Sequence, residues 1–277
     1  MRILLAQLNT TIADFEGNIR AIEQACDAGR RARADIILTP ELAVLGYPPL
    51  DLLERREVLV ACEAQATRLA EASHGLVLIV GVPLPTSNPL GASTGRPARN
   101  AAWVFQNGQL VGCVDKRLLP NYDVFDEERY FNNGETATVF DIGGRRVGIT
   151  ICEDIWSEDE LGVRRYNVDP VRDLVDAGAD CILNLSASPF DLGKAARRLK
   201  LVRTIAREHG VPVAYCNLVG GNDALIFDGR SFAVDANGVV LGVAAAFAPD
   251  QLVVDLPAAR ARSEVVTLQY TDEAPKN

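Results

Sequence analysis

The sequence predicts a single α/β domain built on layered sheets. Three observations lead there. Short apolar runs with little alternation, at residues 35–38, 76–80 and 181–185, have the look of strands buried on both faces. Helical periodicities lie between them: Ile19, Ile22, Ala25 and Cys26 in one stretch, Leu59, Cys62, Ala66 and Leu69 in another. Paired apolar runs also flank Asn107-Gly108, Gly143-Gly144 and Asn237-Gly238, which mark hairpins. The βαβ units imply parallel pairing and the hairpins antiparallel pairing, so the sheets are mixed.

In chain order, a strand over residues 2–8 leads into a polar loop, and a helix starts near Asn18 and runs to about Ala34. Thr39-Pro40 stops the next strand, and Gly46-Tyr47-Pro48-Pro49 requires a loop, because prolines exclude helix interior and central strand alike. Residues 56–72 read as helix, 76–80 as strand and 86–99 as a surface loop. Hairpins follow at 100–115 and 138–151, separated by an irregular stretch over 116–134. An acidic segment, 157–170, leads to a helix ending at Ala177-Gly178. A buried strand at 181–185 comes next, then a basic helix at 192–209, a strand at 211–216, a hairpin at 231–243 and a last strand at 251–255. The domain is expected over residues 1–256, with 257–277 as a weakly ordered tail. No repeat or linker interrupts it.

Hydrophobic residues at 48% and charged residues at 23% fit a soluble globular protein. The formal net charge of −9 argues against nucleic acid as a partner, since phosphate binding needs clustered Lys and Arg. No run has the length of a membrane span, and the N-terminus reads as strand rather than signal peptide, so no membrane partner and a cytoplasmic location are expected. The six cysteines form no C-x-x-C pair. His74 and His209 each precede a glycine at a helix end, where a capping role is usual. Neither a Cys–His dyad nor a histidine metal site is indicated, and no cofactor is called for.

Three apolar runs end in a reactive side chain: Glu41 after Thr39-Pro40, Lys116 after Val114-Asp115, and Cys152 after Ile149-Thr150-Ile151. The carboxyl ends of parallel strands border a ligand crevice, so the three side chains are candidates to converge. A thiol needs a base to act as nucleophile, a partly desolvated carboxylate is a suitable base, and an ammonium stabilises an oxyanion. The backbone N–H of Glu153 is a candidate second donor. Glu–Lys–Cys is the acyl-transfer set this chain offers. Read singly, Glu41 and Lys116 are equally well solvated residues at strand ends.

Longer segments add a resemblance. Thr39-Pro40-Glu41-Leu42 with Gly46-Tyr47-Pro48-Pro49-Leu50-Asp51, Lys116-Arg117-Leu118-Leu119-Pro120-Asn121-Tyr122, Ile151-Cys152-Glu153-Asp154-Ile155-Trp156, Asn184-Leu185-Ser186-Ala187-Ser188-Pro189 and Asn217-Leu218-Val219-Gly220-Gly221 together resemble the nitrilase, or carbon–nitrogen hydrolase, superfamily. Within it they are most similar to the glutaminase domains of glutamine-dependent NAD synthetases. The resemblance implies a nitrilase-like αββα sandwich and hydrolysis of the glutamine side-chain amide through a cysteine thioester. Glu41 would be the general base, Lys116 the oxyanion stabiliser and Cys152 the nucleophile. Tyr122, Glu153 and Ser188 would recognise glutamine, with Tyr47 nearby, and Glu127 would support Lys116. Asp154 and Trp156 read as structural.

The implied partner is an ammonia-accepting NAD synthetase domain or subunit, and the superfamily's habit implies a homo-oligomer. The Ser-Gly-Gly-x-Asp-Ser phosphate loop of an ATP-using synthetase domain does not occur in the sequence. Two other readings stand beside this one: an amidase acting on another small amide, and a regulatory subunit with a vestigial triad.

Overall fold

The computed structural model describes residues 1–86, 95–156 and 166–260. Two mixed sheets account for most of them. The first holds β1 (Arg2–Gln7), β2 (Ile36–Leu38), β3 (Val77–Pro85), β4 (Ala98–Gln106) and β5 (Gln109–Asp115) in spatial order, with β6 (Phe131–Asn132) paired to β4. The second contains β7 (Val139–Ile142), β8 (Arg145–Ile151), β9 (Cys181–Ser186) and β10 (Val213–Asn217). A separate ribbon, β11 (Val219–Asn222) with β12 (Leu225–Asp228), precedes β13 (Phe232–Val234) and β14 (Val240–Val243), which extend the second sheet beyond β10. β15 (Asp250–Asp255) returns to the first sheet beside β1.

Side-chain alternation explains the layering. Ile3, Leu5, Ile36, Leu38, Ile79 and Val104 of the first sheet meet Val147, Ile149, Leu183, Leu185, Ala214 and Cys216 of the second in one inter-sheet core. The opposite face of the first sheet, with Leu4, Ala6, Ile37 and Leu78, packs on α1 (Phe15–Ala32) and α2 (Arg56–Arg68). The outer face of the second, with Ile182, Val213 and Tyr215, packs on α3 (Pro170–Asp176) and α4 (Lys194–His209). This is the expected αββα sandwich.

Strand direction brings the reactive positions to one end. β1, β2 and β3 are mutually parallel; β4 reverses against β3, and β5 reverses against β4. β5 is therefore not a parallel strand of the kind the crevice argument assumed, but two reversals restore its direction, and it ends at the same edge as β2. β8, β9 and β10 are likewise parallel.

Local chemistry moves several boundaries. α1 starts before Asn18, because Asp14 caps it by accepting the Gly17 N–H at 3.0 Å. Asn18 lies inside the helix, where its amide donates to Thr11 O and Val44 O. β3 and β4 are longer than the apolar runs suggested, and part of the loop expected over 86–99 lies outside the described residues, as does most of the acidic segment. The β11–β12 hairpin is an addition to the expected elements, since Gly220-Gly221 hides the alternation and its turn, Asp223-Ala224, is not a glycine pair. Of the expected tail, residues up to Arg260 are tied down: Arg260 bonds Gly210 O through its backbone and Ala236 O through its guanidinium.

One buried ion pair joins α4 to this hairpin. Arg198 of α4 donates to both carboxylate oxygens of Asp228, and both residues are buried. The guanidinium also donates to Ser188 O at 3.2 Å. Removing one member of a buried pair strands the other charge, which costs about 3–5 kcal/mol. Asp228→Ala is therefore expected to lose stability of that order in urea denaturation, and a loss below about 1 kcal/mol would show that the pair is not structural.

Candidate active site

The site is assembled from the ends of β2, β5, β8 and β9. After β2 the chain turns sharply: Leu42 adopts φ +49° directly after Glu41. Gly81 on β3 makes room for this turn, since a Cβ there would collide with the backbone of Pro40 and Leu42. At the end of β8, Cys152 has φ +46° and opens a short 3-10 turn, Cys152–Ile155. A left-handed conformation costs a non-glycine residue about 1 kcal/mol or more and swings its side chain off the strand line.

Asp154 locks this turn to the end of β5. Its Oδ2 accepts the Ile151 N–H at 2.9 Å, while its Oδ1 accepts the N–H groups of Arg117 and Leu118 at 2.9 and 2.8 Å. The structural reading of this acid holds, and the bonds show its effect: the residues after Lys116 are fixed against the strand that carries Cys152. Burial lifts the Asp154 carboxyl to about 6, opposed by the three backbone donors.

Glu41, Lys116 and Cys152 come together. Glu41 and Lys116 have no exposure to solvent and Cys152 is buried. Lys116 Nζ donates to Glu41 Oε1 at 2.7 Å and to both oxygens of Glu127 at 2.8 and 2.7 Å. Asn100 Nδ2 adds a donor to Glu41 Oε1 at 2.7 Å, and the Ala187 N–H, just past β9, donates to Glu41 Oε2 at 3.1 Å. The Tyr47 hydroxyl donates to Glu127 Oε1 at 2.9 Å, so its link to the site runs through that carboxylate.

The charges sort themselves by these contacts. Burial by itself lowers the Lys116 ammonium's pKa, but the Glu127 and Glu41 carboxylates outweigh it and hold it well above the ordinary value. Burial raises the Glu127 carboxyl to about 7, against the pull of Lys116. Burial also pushes the Cys152 thiol well above its usual value; the Glu41, Glu127 and Glu153 charges reinforce this and Lys116 opposes it.

The recognition candidates are on the same side of the sandwich. Tyr122 Oη donates to Glu153 Oε1 at 2.8 Å. Ser188 is held through its backbone: Asn217 Oδ1 accepts its N–H at 2.9 Å, and its carbonyl accepts from Arg198 and Asn217. Two further residues escaped the sequence reading. Tyr166 Oη reaches the same Glu153 oxygen at 3.0 Å. Lys194, at the start of α4, places its ammonium 5.6 Å from the centre of the Phe125 ring; burial lowers its pKa, while Cys152, Glu153 and Asp123 act in the opposite sense. Its only sequence signal was its place after Gly193 at the head of a basic helix. Asn100 and Tyr166 carried none, being brought in by folding alone; Asn217 stood only as part of a family segment.

Among the described residues no helix is long and apolar enough to cross a membrane, and no group of three His, Cys, Asp or Glu side chains is arranged to hold a metal ion.

Comparison with known proteins places this geometry in a family. The carbon–nitrogen hydrolase model matches residues 2–263. A glutamine-dependent NAD(+) synthetase of Xanthomonas campestris pv. campestris is 40% identical over 279 residues, 99% of this chain but 47% of its own length. The chain thus spans about half the length of the curated relatives it matches. The structure of a glutamine-dependent NAD+ synthetase from Acinetobacter baumannii superposes with a TM-score of 0.81 at 33% identity, covering 91% of this chain and 44% of that one. A variant of an amidase from Nesterenkonia sp. AN1 superposes with a TM-score of 0.77 at 27% identity, over 93% and 90% of the two chains; it carries the acetamide moiety of fluoroacetamide covalently at its active-site cysteine. The chain belongs to the carbon–nitrogen hydrolase family.

Proposed function

We propose that residues 1–256 form a glutaminase domain that hydrolyses the side-chain amide of glutamine and supplies ammonia to an NAD synthetase domain or subunit. The observation that carries this reading is the pairing of charges beside the thiol: Glu153 directly after Cys152, and Lys194 on the helix that follows Ser188. A carboxylate and an ammonium flanking one nucleophile suit the two ends of an α-amino acid. Tyr122 and Ser188 complete the recognition set.

The chemistry assigned to the buried cluster is an acyl transfer in two halves. The raised Cys152 pKa keeps the thiol protonated at rest, so a base must take its proton as the C–S bond forms. Glu41 is that base. Sγ attacks the amide carbon, and the oxyanion forms against Lys116 Nζ, with the Glu153 N–H as second donor. Collapse breaks the C–N bond, and Glu41 returns the proton to the leaving nitrogen as ammonia. Water, deprotonated by Glu41, then attacks the glutamyl thioester; glutamate leaves and the thiol regains its proton. Glu127 and Tyr47 act through Lys116, holding its ammonium in place.

A second reading, hydrolysis of a different small amide, is favoured by the Nesterenkonia amidase, which this chain matches over 90% of that protein's length. A regulatory role is disfavoured by the complete Glu–Lys–Cys set. Assays of ammonia release from glutamine and from short neutral amides separate the enzymatic readings: preference for glutamine supports the first, and turnover of neutral amides alone refutes it. Adding a purified ammonia-dependent NAD synthetase tests the proposed acceptor.

Cys152→Ala is expected to cut ammonia release by about a thousandfold or more with an unchanged thermal midpoint; turnover near the parent's would refute the nucleophile assignment. A chelator is expected to leave the rate unchanged.

The Glu127 carboxyl makes a prediction about stability. Its folded-state value, about 7, lies above the ordinary 4.5, so folding favours the protonated form. Its contribution is fully present below pH 4.5 and is lost as pH rises through 7. Glu127→Gln lacks that loss, so the difference in thermal midpoint between variant and parent should shift in the variant's favour from pH 5 to pH 8. A difference independent of pH would contradict the assignment.

A further inference from the structure

Glu153 has a second tyrosine. The first, Tyr122, comes from the loop after β5; the second, Tyr166, comes from the segment leading into α3. The backbone after Tyr166 is anchored nearby, since Asp169 caps α3 by accepting the Arg172 N–H at 3.0 Å and Pro170 opens that helix. Both phenol hydroxyls donate to the same oxygen, Glu153 Oε1, at 2.8 and 3.0 Å. Glu153 itself is buried, while Tyr166 is half-buried and Tyr122 is 39% exposed.

Two donors converging on one carboxylate oxygen fix both the position and the rotation of that group. The fixing matters because of where Glu153 sits. Its backbone is adjacent to the nucleophile, so the orientation of its carboxylate sets the distance between a bound head group and Cys152 Sγ. Holding that orientation in advance lowers the cost of receiving a charged head group, so the clamp acts on binding rather than on bond making. Hydrogen bonds to an ionised acceptor are about twice as strong as neutral ones, which suits them to this holding role. The Tyr166 hydroxyl is itself held as a donor: burial raises its pKa, and the Glu153 charge and hydrogen bond raise it further.

We propose that Tyr166 is a specificity-determining positioning residue: together with Tyr122 it clamps Glu153 so that the site selects amides bearing an α-ammonium over amides without one. The proposal rests on the glutamine reading above and adds a residue that acts only through Glu153. Tyr166 takes no part in bond making, so its loss affects binding of the charged head group and leaves the thiol chemistry alone.

The test compares the full chain with its Tyr166→Phe variant, which keeps the ring and removes only the hydroxyl. KM and kcat are measured for glutamine and for butyramide, a neutral amide of similar reach. The expected result is a five- to tenfold rise in KM for glutamine, a partial loss because Tyr122 still holds Glu153, with kcat within twofold and kcat/KM for butyramide unchanged. Equal losses on both substrates would assign the hydroxyl a structural role and overturn the proposal, as would unchanged selectivity. A parent chain that turns over butyramide and ignores glutamine overturns the glutamine reading and this proposal together. A glutamine-selective parent whose variant keeps that selectivity overturns the Tyr166 assignment alone.

Discussion

A lysine ammonium with no exposure to water must have its charge answered inside the protein, and much of this structure can be understood as the answer. Taking an ion of that size out of water costs several kcal/mol even after relaxation. Lys116 recovers this through three short hydrogen bonds to Glu41 and Glu127. Those partners lie 75 and 11 residues away in the chain, so the fold has to deliver them together. It does so by directing β2 and β5 to the same edge of one sheet, with two antiparallel reversals between them. Asp154 then ties that edge to the second sheet by gripping the backbone on both sides of the gap.

The same cluster decides how the thiol behaves. One ammonium between two carboxylates leaves an excess of negative charge, and Cys152, buried beside it, resists ionisation. The excess is relieved by the proton that burial favours on Glu127, whose carboxyl titrates near neutrality. The result is a thiol that stays protonated at rest and, in the proposed role of nucleophile, needs a neighbouring base, unlike the preformed thiolates found in electropositive surroundings. Of the residues proposed for recognition, Glu153 and Tyr122 share their segments with the buried cluster, while Tyr166 and Lys194 come from other parts of the chain.

How much of this was legible in the sequence follows from the range of each signal. Strand ends are local: an apolar β-branched run stopped by Thr39-Pro40 or by Cys152-Glu153-Asp154 announces itself, and the longer segments around them carry the family resemblance. The layered α/β architecture was readable for the same reason, from runs, periodicities and turn residues. Residues joined only by folding gave no such notice. Arg198 looked like one basic residue among several on a helix, yet it is buried against Asp228 and Ser188 O. Asn100 sat in an ordinary hairpin strand, yet it holds Glu41. Tyr47 stood within a quoted proline-rich segment, but its hydrogen bond to Glu127 could not be read there. The β11–β12 ribbon was missed because paired glycines hide the alternation.

In the proposed chemistry this buried cluster turns Cys152 into an acyl carrier. The most direct measurement is an acid quench of the chain during glutamine turnover, followed by mass spectrometry of its peptides. A glutamyl group in thioester linkage is expected on the peptide that contains Cys152, and on no other cysteine. Steady ammonia release with no acylated peptide, or with the acyl group on another cysteine, would contradict it.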